Sequence, residues 1–144
     1  MVVRLDNILG PILIVILVSV VFGIYAPGRY GDFLLDDYVN ISPLSQVEQG
    51  LDGMVRYLFS DVYGGSNRWL SKLSFLIDTT AWPAEPSRFK QNNILFHILN
   101  GLLVIWVFLR LMRMTGHSER TGQIVSLALG AIWLLHPLNT STAL

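Results

Sequence analysis

The sequence predicts an all-α membrane protein, and three observations predict it. Apolar residues make up 52% of the 144 residues and charged residues only 14%, whereas soluble domains run near a quarter charged. The apolar residues gather in charge-free blocks close to the length that crosses a bilayer, about 20 residues. Between the blocks, apolar positions recur at helical intervals. Segments inside lipid must satisfy their own backbone, so the blocks are read as helices. Formal net charge is zero, which leaves no global field to draw nucleic acid. The chain has no cysteine, which excludes disulfides, thiolate catalysis and thiolate-bound metals and leaves the redox compartment unread.

The first block carries no charge from Asn7 to Gly28, and a span is predicted over residues 8–26. Pro11 lies near its start, where helical N–H groups lack partners in any case. A cleaved signal peptide is the competing reading. Against it, Asp6 offsets Arg4, and a cut after Ala26 would set Pro27 beside the scissile bond. An uncleaved anchor is therefore predicted.

The connector 27–93 is too apolar and aromatic for a disordered tether. Ser45-Gln-Val-Glu48 fits a capping box. After it, Val47, Leu51, Met54, Val55 and Leu58 share a side, with Glu48, Asp52 and Arg56 elsewhere, so an amphipathic helix is predicted over 45–59. Gly50 and Gly53 weaken it as a free helix, which calls for a surface to support it. Tyr63-Gly-Gly-Ser-Asn67 is a turn signal. With Asn67 as its cap, a second amphipathic helix runs from Arg68 to Asp78. Trp69, Leu73, Leu76, Ile77 and Thr80 lie on one side and Arg68, Ser71 and Lys72 elsewhere. Trp82-Pro-Ala-Glu-Pro86 then breaks the helix. Two such helices between spans predict an interfacial loop along the membrane–water boundary; packing on other protein is the alternative.

Further spans are predicted over 94–112 and 122–138, joined by a short connector, 113–121. Arg110 can snorkel to the surface. Arg110, Arg113 and Arg120 outweigh Glu119, so this connector is predicted to be cytoplasmic, and Arg4 agrees for the N-terminus. The connector 27–93 is then extracytoplasmic, as is the tail from His136. No polar tail follows the third block, which predicts a piece of a larger polytopic protein; a small complete subunit is the alternative.

Chemistry-bearing residues cluster at the predicted outer side. Asp36 and Asp37 stand about ten residues past the first span. Paired carboxylates hold protons or cations, although such dipeptides also occur in ordinary loops. His97 and Asn100 share a helix face, with His97 about 6 Å below the outer end of the second span. His136-Pro137 ends the third block. Polar groups in lipid usually face a bundle interior or aqueous cavity, but His97 could equally bond a neighbouring helix and His136 cap one. A metal site of two histidines and two aspartates is weakly signalled, because no His-x-x-x-His spacing occurs. Glycine-rich phosphate loops, Ser-His-Asp patterns and nucleic-acid modules are absent from the sequence.

The order of parts resembles a known family: a first span, an outer Asp36-Asp37, Arg68-Trp-Leu-Ser-Lys-Leu-Ser-Phe75, Phe96-His-Ile-Leu-Asn100, then Leu135-His-Pro-Leu-Asn139. It resembles the N-terminal part of GT-C glycosyltransferases. The likeness is closest to bacterial relatives of protein O-mannosyltransferases, including the transmembrane TPR-repeat type, and covers essentially all 144 residues. Such enzymes have many more spans. The resemblance implies an integral protein of the bacterial inner membrane that moves a sugar from a polyprenyl-phosphate donor to a hydroxyl on a protein or glycan acceptor. It also implies that Asp36 or Asp37 is the catalytic base, and that Arg68, Lys72 and His97 are candidates to meet the leaving phosphate. Asn100 and His136 are further substrate-binding candidates. Some members hold a divalent metal at the acidic site and others do not, so Asp36 and Asp37 are also its candidate ligands. A non-catalytic membrane subunit or scaffold, or an inactive fragment, are the other readings of the same chain.

Overall fold

A computed structural model describes residues 6–33, 41–48, 50–59, 68–78 and 84–144. All regular structure among them is helical. Helix α1 spans Asp6–Tyr25, α2 Leu51–Phe59, α3 Trp69–Asp78, α4 Pro86–Met114, α5 Glu119–Leu134 and α6 Thr140–Ala143, with 3-10 turns at Ala26–Tyr30, Ser42–Gln46 and Pro137–Asn139. Among the described residues, two stretches are long and apolar enough to cross a membrane, Leu9–Tyr30 and Pro86–Met114. The third block forms a helix of 16 residues, about 24 Å at 1.5 Å per residue and short of a roughly 30 Å hydrocarbon core.

The chain divides into two compact units, one of Met1–Arg29 with Lys90–Leu144, the other Tyr30–Phe89. In the first, α1, α4 and α5 run up, down and up. Gly10 lies near Gln123 at one end, and Tyr25, His97 and Leu134 meet at the other. The core is Val21, Tyr25, Ile94, Ile98, Leu134 and Ala143. Lipid tails are as apolar as leucine, so helices in a bilayer associate through close packing and small residues instead of water exclusion. α5 fits that requirement: its buried positions Gly122, Ser126, Gly130 and Leu134 recur every four residues. A Cβ at Gly130 would collide with Ile105, and one at Gly122 would come 3.3 Å from Met112 Cβ.

The α4–α5 turn is built by local chemistry. Gly116 takes φ +76. The Gly116 amide donates to Arg113 O (3.2 Å) and that of His117 to Met112 O (3.2 Å). This pair of hydrogen bonds around a left-handed residue satisfies carbonyls of the last turn of α4. Ser118 Oγ then accepts from the Thr121 amide (3.2 Å), capping α5. An exposed Arg113–Glu119 ion pair (3.3 Å) bridges the turn.

In the second unit, α2 and α3 pack on each other over a core of Phe33, Ile41, Leu44, Tyr57 and Phe89. Phe33 meets Phe89 edge-on at 5.7 Å between centroids. The helix expected over 45–59 is shorter and starts later. Pro43 sits at the head of a 3-10 turn, Ser42–Gln46, and Gly50 at φ +106 breaks the path before Leu51. Ser45 caps nothing there, since its hydroxyl donates to Ser42 O (2.8 Å). The helix expected over 94–112 is longer: Pro86, whose missing N–H costs nothing at the first position, opens α4 two turns earlier.

Candidate functional site

The end of the first unit where Tyr25, His97 and Leu134 meet is assembled by an accounting problem. Pro137 follows closely on α5, so the regular helix stops at Leu134; Trp133 O still accepts from the His136 amide (3.3 Å), while the Leu134 carbonyl is met by side chains. His97 Nε2 lies 2.9 Å from Leu134 O. A carbonyl only accepts, so Nε2 carries the proton. Tyr25 Oη donates to the same oxygen at 3.2 Å. Asn139 Nδ2 donates to Trp133 O at 2.6 Å. The His97 ring stacks on Trp133 at 4.9 Å and meets Tyr25 edge-on at 5.4 Å. One imidazole therefore joins α1, α4 and α5.

Just beyond this layer, the two strands of chain leaving the unit are tied together. Arg29 Nη1 donates to Gln91 Oε1 (3.3 Å), and Lys90 Nζ to Gly28 O (3.5 Å). Arg29 also lies over the Phe22 ring. The connector Tyr30–Phe89 thus begins and ends at a fixed pair of points on the first unit.

The residues singled out from the sequence divide as follows. His97 is buried, about three turns inside α4 and not one, because the helix begins earlier than expected. Asn100 is exposed on α4 and does not join it. His136 is exposed, and its Nδ1 accepts from the Leu138 amide (3.3 Å), capping the turn Pro137–Asn139. Both histidines therefore have structural work, bonding a neighbouring helix and capping a turn. Arg68 is exposed in the second unit. Lys72, expected on a polar surface, is buried at 3% exposure with Nζ 5.7 Å from the Tyr57 ring centroid. The long lysine stem makes such burial affordable, and the ring face attracts the ammonium. Burial pushes the Tyr57 phenol up to about 12. Asp36 and Asp37 lie outside the described residues. Among the described residues, no three histidine or acidic side chains come together as metal ligands.

Sequence reasoning missed Tyr25, Trp133 and Asn139. The available signal was the proline: a helix stopped there needs donors for its last carbonyls, and Tyr25 and His97 sit at matching depth on neighbouring helices. Removing the bridge has a measurable cost. His97→Ala leaves a buried carbonyl with one donor instead of two and removes the stack on Trp133, an expected loss of about 1–3 kcal/mol. Thermal unfolding in detergent reads it, and an unchanged midpoint would show that the bridge holds nothing together.

No protein-family model matches the chain, and neither does any curated protein or solved structure.

Proposed function

We propose that the chain is the N-terminal region of a membrane glycosyltransferase of the GT-C type, moving a sugar from polyprenyl phosphate to a hydroxyl acceptor on the extracytoplasmic side. One observation carries the reading. His97, of the segment Phe96–Asn100, bonds the carbonyl of Leu134, 37 residues on and next to the segment Leu135–Asn139, whose Asn139 bonds Trp133 O in the same layer with Tyr25. That layer is at the end of the first unit from which the connector holding the acidic pair departs. The basic residues Arg110, Arg113 and Arg120 are at the opposite end. By the positive-inside bias that end is cytoplasmic. On this reading α5 with Leu135–Leu138 makes a third, short span.

The chemistry assigned to the pair is general base catalysis. Asp36 or Asp37 takes the acceptor hydroxyl proton as its oxygen bonds to the anomeric carbon. The bond from that carbon to the donor phosphate breaks, and the phosphate leaves with the electron pair, still on its lipid. A divalent metal, in the scheme that uses one, would be held by the same two carboxylates and would neutralise that leaving charge. His97 is a positioning residue in this account, since its Nε2 proton is spent on Leu134 O. Of the two candidate cations in the second unit, Arg68 and Lys72, Arg68 is exposed and therefore the better placed for phosphate. The reading is tested with the full-length gene product in vesicles, supplied with radiolabelled polyprenyl-phosphate sugars and a hydroxyl acceptor. Label passes to the acceptor if the reading holds. No transfer from any donor, with the protein folded and inserted, contradicts it.

A further inference from the structure

We infer that the second unit rests on the bilayer through an apolar stripe on each of its two helices, with lipid as the occupant. On α2, Leu51, Val55 and Phe59 follow at four-residue intervals and stand 78%, 46% and 61% exposed. Gly53 and Tyr57 are the buried side of the same helix, and the charged Asp52 and Arg56 are exposed beside the stripe. At 100° per residue this makes three sectors: core, lipid-suited and water-suited. On α3, Trp69, Leu73 and Ile77 repeat the four-residue interval, with Leu70 beside them, and all four are exposed. The only charged residues of α3, Lys72 and Asp78, are its buried ones. A helix whose outer face met water would carry its charges outward.

Chain continuity commits the stripes to lipid. The unit begins at Tyr30, the last residue of one membrane-length apolar run, and ends at Phe89, in the first turn of the other. A unit held at both ends by such helices has a bilayer surface as its nearest apolar phase. Interfacial helices sink an apolar face about 5–10 Å into the headgroup–acyl boundary, and tryptophan, here Trp69, favours that depth. The inference goes beyond the transferase reading and does not require it: transfer can fail with both stripes still in lipid.

These 144 residues contain no cysteine, so a single spin label can be placed at any of them once every cysteine elsewhere in the full-length protein is replaced by serine. The full-length protein carrying Val55→Cys, Leu73→Cys or Ile77→Cys, and Asp52→Cys as the water-side reference, is reconstituted into vesicles of phosphatidylethanolamine and phosphatidylglycerol. Collision of each label with oxygen, which concentrates in lipid, and with a water-soluble nickel chelate is then measured. The expected result is oxygen collision several-fold above nickel at 55, 73 and 77, and the reverse at 52. Nickel exceeding oxygen at the stripe positions would put them in water and overturn the inference. Protection from both reagents would do the same, since it would mean that another protein or a second copy covers them.

Discussion

On the transferase reading, replacing Asp36 or Asp37 by asparagine is expected to lower sugar transfer by roughly 10²–10⁴-fold at whichever carboxylate is the base. Asparagine keeps the size of the side chain and removes its ability to take a proton, so membrane insertion and the unfolding midpoint stay at the parent values. The two positions also separate the two chemical schemes. With a lone base, one variant loses activity and the other keeps most of it. With a metal held by both, both variants lose activity, and the loss at one is partly offset by raising the divalent cation concentration. Initial rates with a labelled polyprenyl-phosphate donor, taken across a cation series, read this directly. Parent-like transfer by both variants would remove the acidic pair from the mechanism.

The second large effect is structural. Gly130→Leu is expected to cost about 3 kcal/mol, the upper end for overpacking a close contact, and to separate α5 from α4. Even a Cβ there would collide with Ile105, a β-branched side chain with little rotamer freedom. The neighbouring Ser126 is buried and its hydroxyl makes no hydrogen bond among the described residues, consistent with selection for small size along this stripe. Gly23 on α1 has nothing within 4 Å of its would-be Cβ, so Gly23→Ala should leave stability unchanged or raise it by up to about 1 kcal/mol. The pair compared in thermal unfolding distinguishes close approach from general intolerance of substitution in the apolar helices. Equal midpoints for Gly130→Leu and the parent would contradict the packing described.

Much of the helical character was legible because charge-free runs and four-residue apolar intervals are local signals. What was not legible depended on tertiary choices. The start of α2 moved from 45 to Leu51 because Gly50 took positive φ and Pro43 favoured a 3-10 turn. The capping-box pattern Ser45–Glu48 was present without a helix to cap. The head of α4 was hidden by Arg88 and Lys90, which lower local hydropathy although Lys90 is buried and bonded to Gly28 O. Nothing in composition marks Lys72 as an interior residue; the fold buries it and sets its ammonium over the Tyr57 ring. For the site, the place of His97 on the second apolar helix was readable; its depth was not, because α4 begins at Pro86, and its partner was not, because a hydrogen bond to Leu134 O depends on how α4 and α5 pack. Asn100 and His136 were placed by helix spacing and chain position, and those say nothing about which face meets solvent.

The orientation of the acidic pair is what the account rests on, and sidedness labelling measures it most directly. Tyr38→Cys, one residue after Asp37, is introduced into the full-length protein, with any cysteine outside these 144 residues replaced by serine, in intact cells with a permeable outer envelope. The cells are treated with a maleimide that cannot cross the inner membrane. The account predicts full labelling without lysis, with no increase when the inner membrane is opened. Labelling only after the inner membrane is opened would place the carboxylates in the cytoplasm and contradict it.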